Sequence, residues 1–306
     1  MTTFTTIDLN WTGRAKAIAA LVIESGGYCV VADPGPASTL DALHAGLRAR
    51  GRDVGGIDAL LLTHIHLDHA GATGELVREN PRLRVYVHEF GAPHMVDPSR
   101  LLASAGRLYG ADLAPLYGEC KPVPEENLNV LNGGERIRIG ETELQVFYTP
   151  GHASHHVTYW DNFSGTALVG DTAGIRVEGD AFLLPAAPPP DIDIELWNQS
   201  LDLIASWKPA RLFLTHFGFI EKPLEHIELY KRRLEEWMAL AEKLLATGVD
   251  ASEAEKTFVD SVAAEIRSAM PPENAEHYIF NGGLRLSWLG LMRHARVKAR
   301  RQQSSA

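Results

Sequence analysis

The sequence predicts an α/β protein that ends in a helical C-terminal part. Two stretches, 5–63 and 136–216, are rich in short apolar runs that are separated by turn residues and helix-type segments. From Lys222 onward, apolar residues instead recur every three or four positions, which is the spacing of one face of an α-helix. This change of period predicts a mixed α/β body followed by helices.

The first stretch predicts strands and one amphipathic helix. Leu40, Leu43 and Leu47 lie three or four residues apart and give that helix a single apolar face. The run IDALLLT then has the continuous apolar character of a strand that is buried on both sides. The predicted elements are strands at 5–9, 17–24 and 27–33, a helix at 38–50 and a strand at 57–63.

The middle of the chain and the second stretch continue this alternation. Residues 89–131 are rich in Pro, Gly, Leu and Tyr, which predicts an irregular segment with short helices. The other predicted elements are a helix at 73–79, strands at 83–88, 136–140, 142–149, 157–161 and 166–171, a helix at 191–207 and a strand at 210–216.

In the helical C-terminal part, the sequence predicts a first helix that begins at about Lys222 and ends at Gly248. The pattern Ser252-x-x-Glu255 predicts a capping box at the start of a second helix over about 253–269. The basic tail 292–306 predicts a solvated helix end that frays.

The composition is that of an ordinary globular protein, with 45% hydrophobic and 22% charged residues. A formal net charge of −10 argues against a nucleic-acid binder, because such a protein needs a basic surface to displace counterions. A small acidic substrate stays compatible with this charge, because a metal site carries its own local positive charge. We expect a small-molecule substrate and no nucleic-acid partner.

Two cysteines, Cys29 and Cys120, are too few for a disulfide framework. The N-terminus has no basic segment that leads into an apolar run, so we expect no signal peptide. No stretch reaches the ~18 apolar residues of a membrane-spanning helix. We therefore expect a reduced, cytoplasmic protein with no membrane partner.

The segment LLTHIHLDHAGA, residues 61–72, crowds metal-binding side chains at the end of a predicted strand. In an extended chain, side chains two positions apart face the same way, so His64 and His66 can converge on one ion. The chain must then turn, which places Asp68 and His69 where a second, adjacent ion could be held. Packing alone is a poor explanation for such a cluster.

Three further residues of metal-binding type follow predicted strands, namely His152 after TPG, Asp171 after LVG and His216 after FLT. Each comes after an apolar run and before small or turn-forming residues. Histidine and carboxylate ligands at strand ends are typical of a catalytic zinc site, which leaves positions open for water or substrate. The sequence therefore predicts a metal-dependent enzyme.

These motifs resemble those of the metallo-β-lactamase superfamily of metallohydrolases. The matching motifs are T-H-x-H-x-D-H at 63–69, P-G-H at 150–152, G-D at 170–171 and T-H at 215–216, in that order. The resemblance covers about residues 5–247. It implies a four-layer αβ/βα sandwich, in which two β-sheets lie face to face with helices outside and metals bind at one edge.

The resemblance also implies a centre of two divalent ions. Zinc is favoured, although these ligands also accept iron or manganese. The implied ligands are His64, His66 and His152 for the first ion, Asp68, His69 and His216 for the second, and Asp171 as the bridge between them.

Two aspartates have further implied roles. Asp68 is the residue expected to orient a metal-bound hydroxide and to pass on its proton. Asp33, in VVADPG, matches a family position beneath the site and would accept a hydrogen bond from a ligand histidine; it is equally well explained as a turn residue. His155 and His156 also have two interpretations, as neighbours of the ligands or as capping or exposed residues.

The expected activity is hydrolysis of a small ester-type substrate by a metal-bound hydroxide, with a lactone or carboxylic ester favoured. The apolar and aromatic insertion at about 89–131 suits an acyl or alkyl group better than the charge of a phosphodiester. The alternatives are a phosphotriesterase or phosphodiesterase, and a thioesterase of the glyoxalase II type. An iron-dependent persulfide dioxygenase, which binds one metal, is an alternative from another class.

The motifs predict a catalytic domain over 1–248 and a helical extension over 249–306. The 89–131 insertion has three interpretations, as a lid, as a contact of a homodimer or as a local core under a long loop. Its Tyr109 and Tyr117 are candidates to hold a substrate carbonyl oxygen, and the sequence does not choose between them.

Overall fold

Two six-stranded sheets form the centre of the molecule. The computed structural model describes residues 1–177 and 182–304, with side chains described up to residue 300. The strands of the first sheet, in spatial order, are β1 (Thr3–Asp8), β2 (Ala19–Ser25), β3 (Tyr28–Ala32), β4 (Ala59–Leu61), β5 (Arg84–His88) and β6 (Leu128–Leu131). Strands β3 to β6 run parallel.

The second sheet has one parallel pair. Its strands, in chain order, are β7 (Arg136–Ile139), β8 (Thr142–Tyr148), β9 (Val157–Asp161), β10 (Thr166–Gly170), β11 (Arg211–Leu214) and β12 (Gly218–Ile220). Their spatial order is β12-β11-β10-β9-β8-β7. Strands β10 and β11 are parallel, and the other neighbouring pairs are antiparallel.

Helices cover the outer face of each sheet, which gives four layers. The helices are α1 (Leu40–Arg48), α2 (Leu67–Ala70), α3 (Thr73–Glu79), α4 (Ala92–Val96), α5 (Ser99–Tyr109), α6 (Leu113–Tyr117), α7 (Ile194–Ser206), α8 (Pro223–Ala246), α9 (Ala251–Ala269), α10 (Pro272–Asn281) and α11 (Leu284–Ser304). One cluster of buried residues lies between the sheets and one lies under the helices of each outer face. The expected αβ/βα sandwich is confirmed.

Strand β2 shows why these strands are apolar throughout. Ala20 and Val22 pack under the helices of the first sheet, whereas Leu21 and Ile23 face the second sheet. Successive side chains of a strand point to opposite faces, and here both faces are buried. A continuous apolar run is therefore required.

The C-terminal helices pack on the outer face of the second sheet. Phe258, Tyr278 and Trp288, from α9, α10 and α11, are buried in one cluster with Trp197 of α7 and Leu212 of β11. The helical end of the chain therefore shares a core with the sheet that carries part of the site. Among the described residues, no helix combines the length and the apolar character that a bilayer crossing requires.

The insertion differs in part from the prediction. It contains the expected short helices, α4 to α6, but its end forms strand β6, which the irregular composition did not indicate. Strand β6 pairs in parallel with β5, and just before it the side-chain amide of Asn127 donates to the carbonyls of Pro81 and Leu83, both at 2.9 Å. Pairing with a neighbouring strand overrides the local preference.

Candidate metal centre

All seven predicted ligands meet at one edge of the sandwich, where strand ends and the loops that follow them converge. Strand β4 leads into His64 and His66, β10 leads into Asp171, and β11 leads into His216. Because β3 and β4 are parallel, and β10 and β11 are parallel, the carboxyl ends of each pair lie together.

The first group consists of His64, His66, His152 and Asp171. Nδ1 of His66 lies 3.0 Å from Nε2 of His64 and 3.0 Å from Nε2 of His152. One proton on His66 can satisfy only one of these contacts, whereas a cation between the rings would satisfy all three nitrogen atoms. The group therefore has the chemistry of a cation site.

The second group consists of Asp68, His69 and His216. Nε2 of His216 lies 3.2 Å from Oδ2 of Asp68, and Nε2 of His69 lies 3.9 Å from the same oxygen. The carboxylate of Asp171 stands between the groups, because its Oδ2 lies 3.4 Å from Nε2 of His152 and its Oδ1 lies 3.1 Å from Nε2 of His69. Asp171 thus offers one oxygen to each group.

Two buried atoms at this junction lack hydrogen bonds. Within the described part of the chain, neither Nε2 of His69 nor Oδ1 of Asp171 has a hydrogen-bonding partner of acceptable geometry. Buried polar atoms without partners are rare in folded proteins and cost about 1–3 kcal/mol each. Imidazole nitrogen and carboxylate oxygen are both ligands of divalent metals, so the residues present fit a metal.

Hydrogen bonds at the outer nitrogen atoms leave the inner nitrogen atoms free for a metal. Nδ1–H of His152 donates to the carbonyl of Ala186 at 2.8 Å, and Nδ1–H of His216 donates to the carbonyl of Ala17 at 2.9 Å. A neutral imidazole that donates from Nδ1 has its lone pair on Nε2, which is the atom that faces the centre.

Asp33 likewise accepts a hydrogen bond from the outer nitrogen atom of His69, and through Thr63 it also sets the hydrogen bonding of His64. Its Oδ2 accepts from Nδ1 of His69 at 2.9 Å, from Oγ1 of Thr63 at 2.7 Å and from Oγ1 of Thr215 at 2.8 Å, and its Oδ1 accepts from the backbone N–H of Thr63 at 2.8 Å. The Thr63 hydroxyl gives its only proton to Asp33, so it accepts from Nδ1 of His64 at 3.1 Å. Asp33 therefore ties two strand ends to two of the histidines.

The electrostatics separate neutral histidines from charged ones. Burial lowers the pKa of His152 to about 4 and that of His64 well below its usual value. Burial alone would also lower the pKa of His69, but the charges of Asp171, Asp33 and Asp68 raise it well above normal. Burial would raise the pKa of Asp68, yet the charges of His69 and His216 hold it at about 2. The carboxylates are thus ionised and would attract a divalent cation.

A cavity of about 380 Å³ opens onto the centre. His66, Asp68, Asp171 and His216 border it, and most of its remaining lining is apolar. Helices α5 and α6 of the insertion form one wall, and the turn between α10 and α11 contributes to another. The main apolar and aromatic lining residues are Trp11, Leu101, Ala105, Leu108, Tyr109, Leu116, Tyr117, Ile175, Phe280 and Leu286.

The two tyrosines of the insertion are packed together in this wall. The rings of Tyr109 and Tyr117 meet edge to face at a centroid distance of 5.0 Å. Burial raises the pKa of Tyr109 to about 12 and that of Tyr117 further, so both side chains are neutral phenols. Both line the cavity, and because their hydroxyls interact with each other, the pair has one phenol proton to offer to a bound molecule.

Some lining residues were not found from the sequence. Trp11 donates from Nε1 to the carbonyl of Leu116 at 2.6 Å and packs against Tyr117 and Phe280. Residues so far apart in the chain meet only through tertiary packing, and no local pattern marks them. His155 is buried beside His64 and lines the cavity.

His156 lies deeper than His155. Its Nδ1 is 3.0 Å from the hydroxyl of Thr149 and 3.2 Å from that of Thr172, and its ring is fully buried. Of the two interpretations left open, the structure therefore favours proximity to the ligands for both histidines over solvent exposure.

The glycine of the P-G-H motif is explained by a close approach. Gly151 has a φ of +136°, and a Cβ atom there would lie 2.2 Å from Cα of Trp197 in helix α7. Trp197 itself is fully buried and donates from Nε1 to the carbonyl of Thr172 at 2.7 Å. A side chain at Gly151 would push His152, the next residue, away from the centre.

Comparisons with known proteins identify the family and the fold of this chain. The family model described as Metallo-beta-lactamase superfamily matches residues 13–216. The metallo-beta-lactamase fold-containing protein ST1585 of Sulfurisphaera tokodaii is 30% identical over 179 residues, which cover 56% of this chain and 66% of that protein. Its solved structure aligns with a TM-score of 0.65 at 20% identity over 94% of this chain and 97% of that chain, which shows the shared fold.

Two other relatives have more specific descriptions. A hydroxyacylglutathione hydrolase of Maricaulis maris is 26% identical over 257 residues, which cover 80% of this chain and 86% of that protein. The structure of TTHA1623, described as a di-iron-bound form, aligns with a TM-score of 0.51 at 28% identity over 68% of this chain and 91% of that chain. With the family match spanning residues 13–216 and the four motifs in place, the chain belongs to the metallo-beta-lactamase superfamily.

Proposed function

We propose that this protein is a dinuclear metal-dependent hydrolase that acts on small ester-type substrates, lactones or carboxylic esters above all. The observation that carries the proposal is the placement of Asp171, which offers one oxygen to each of two groups of histidine and carboxylate ligands. A single-ion site would not need a second group with its own unpartnered nitrogen atom.

The proposed ligands follow the two groups. His64, His66 and His152 would hold one ion, Asp68, His69 and His216 would hold the other, and Asp171 would contact both. Two ions bound there would polarise the attacked carbonyl and lower the pKa of a bound water toward neutrality. Zinc is our choice from the ligand types, and the di-iron description of TTHA1623 makes iron the second choice.

Asp68 is the proposed residue that accepts and returns the proton. Its side chain is 21% exposed, whereas that of Asp171 is 5% exposed, so Asp68 is the carboxylate more open to the cavity. It is ionised and is held through Oδ2 by His216. A carboxylate so placed can take the proton of the attacking water and deliver it to the leaving oxygen.

The cavity supports an acyl or alkyl group beside the reacting carbonyl. Its walls are mainly aliphatic and aromatic, and the pair formed by Tyr109 and Tyr117 offers a neutral donor for a carbonyl oxygen. Since helices α5 and α6 form one wall, we propose that the insertion acts as a lid. A phosphodiester would carry its charge into this apolar space, which disfavours it, whereas neutral phosphotriesters remain our second candidate.

The test is a comparison of kcat/KM for the metal-loaded protein on four substrates: an acyl lactone, a glutathione thioester, an aryl phosphodiester and an aryl phosphotriester. We expect the lactone to lead, and we expect each added methylene of its acyl chain to raise kcat/KM about fourfold until the cavity is full. A lead by the thioester or phosphodiester of about tenfold or more would refute the substrate preference, and no hydrolysis of any of the four would refute the proposed function.

A pair of variants tests the role of Asp68. Asp68→Asn should lower kcat by at least about 100-fold when metal is saturating, because it removes the proton acceptor. The exposed Asp41 on α1 provides the control, and Asp41→Asn should keep the wild-type kcat. Equal kcat values for the two variants would remove Asp68 from the mechanism.

A further inference from the structure

The segment Ala186–Ile192 lies against the turn that carries His152. The carbonyl of Ala186 accepts the hydrogen bond from Nδ1–H of His152 at 2.8 Å, and the backbone N–H of Asp193 donates to the carbonyl of Gly151 at 2.9 Å. The position of this segment therefore fixes which nitrogen of His152 faces the centre and how its ring is oriented.

Helix α11 holds the same segment from the other side. The hydroxyl of Ser287 accepts from the backbone N–H of Ala187 at 3.2 Å, and Nε of Arg293 donates to the carbonyl of Pro190 at 2.8 Å. Nδ1–H of His294 donates to the carbonyl of Ile192 at 3.2 Å. Ser287 and His294 are seven positions apart, which is about two helical turns, so they lie on the same face of α11, and Arg293 lies at the edge of that face.

Between these contacts, α11 has a glycine that lets the two backbones touch. A Cβ atom on Gly290 would lie 2.0 Å from the carbonyl oxygen of Ala187 and 3.1 Å from the carbonyl carbon of Pro188. Both neighbours are backbone atoms, so they cannot move away as a flexible side chain would. The helix and the segment are therefore in direct contact from Ser287 to His294, over about two turns of α11.

We propose that α11, the last helix of the chain, positions the metal ligand His152 through the segment Ala186–Ile192. Ser287, Gly290 and Arg293 are the positioning residues. The inference rests on the proposed metal centre in one respect, namely that His152 binds an ion. It gives the C-terminal helices a role in the centre, although their residues contribute none of the seven proposed ligands.

Two substitutions with matched controls test this. Gly290→Ala should press the segment away from α11, and Arg293→Ala should remove one of its hydrogen bonds. Gly106→Ala is the control for the first, because a Cβ there meets nothing within 4 Å. Arg285→Ala is the control for the second, because Nε of Arg285 donates to Glu255 on α9 at 2.9 Å, away from the segment.

The first readout is metal affinity, measured by competition with a chelator for Zn²⁺. We expect Gly290→Ala to bind one of its two ions about tenfold more weakly, and Arg293→Ala about threefold more weakly, while the other ion and both controls keep wild-type affinity. The second readout is the ¹⁵N-resolved Nδ1–H signal of His152 in the metal-free protein. That signal should broaden or shift in the two test variants only.

Wild-type metal affinity and an unchanged His152 signal in both test variants would overturn the proposal, even if those variants were less stable. If Gly290→Ala does not fold, the affinity and the signal of Arg293→Ala decide alone. If the wild-type protein binds no metal, the proposed function fails, while the His152 signal still tests the coupling between α11 and this histidine.

Discussion

Asp33→Asn tests whether one buried carboxylate holds in place the residues proposed to bind the second ion. Asp33 is 1% exposed and accepts four hydrogen bonds, three of them at Oδ2. Its φ of 46° lies in the left-handed region, which asparagine tolerates well, so the substitution keeps both the size of the side chain and the backbone. The change is therefore confined to charge and hydrogen bonding.

The expected loss of stability follows from the four groups that donate hydrogen bonds to Asp33. The amide oxygen can replace Oδ2, but the amide NH₂ then faces the backbone N–H of Thr63, and one unpaired buried donor costs about 1–3 kcal/mol. The other three bonds lose their charge assistance, which roughly halves their strength. We expect the free energy of unfolding to fall by about 2–4 kcal/mol and metal affinity at His69 to fall about 10–100-fold.

The assay combines urea unfolding of the metal-free protein with a chelator competition for metal affinity. The control is Asp161→Asn, because Asp161 is also 1% exposed and accepts from the backbone N–H of Phe163 at 3.0 Å and from Oγ of Ser164 at 2.6 Å, outside the centre. The control should lose stability but keep metal affinity. Wild-type metal affinity in Asp33→Asn would refute the role given to Asp33.

The other predictions concern the bridge, a neighbouring histidine and acid stability. Asp171→Ala should fold but lose bound metal and nearly all activity, whereas His155→Ala should keep both ions; equal metal contents in the two variants would show that the ligands are wrongly assigned. Burial lowers the pKa of His226 to about 4, so between pH 6.5 and 4 the unfolded state binds the proton first and stability falls as pH falls. That loss reaches about 3 kcal/mol at 1.36 kcal/mol per pKa unit. In His226→Gln, which can still donate to the carbonyl of Ala173, the free energy of unfolding should fall by that much less over this pH range, as measured by urea unfolding at a series of pH values. The same fall as in the wild-type protein would contradict this prediction.

The convergence of the seven candidate ligands was predictable because each follows an apolar strand. The two-residue spacing of His64 and His66 and the position of His216 after β11 are local patterns, and parallel strands bring such positions together. Asp33 was open to two interpretations in the sequence. Its four hydrogen bonds are contacts with residues remote in the chain, so only the folded structure shows them.

The cavity walls and the short elements around them were not predictable from local patterns in this way. Trp11 and Phe280 meet in one wall although almost the whole chain separates them, and the three-residue strand β12 is too short for a periodic signal. Helix α10 begins directly at Pro272, in a part of the chain for which the sequence indicated no separate helix. These features depend on which surfaces remain to be covered after the sheets have formed.

Elemental analysis of the chain after purification with saturating metal tests the central claim most directly. The seven proposed ligands, with Asp171 shared between two groups, predict two divalent ions per chain, most of them zinc when zinc is supplied. A content of two that falls to one or below in Asp171→Ala would agree with the proposed bridge. A content of at most one ion per chain in the wild-type protein would contradict the dinuclear centre and the mechanism built on it.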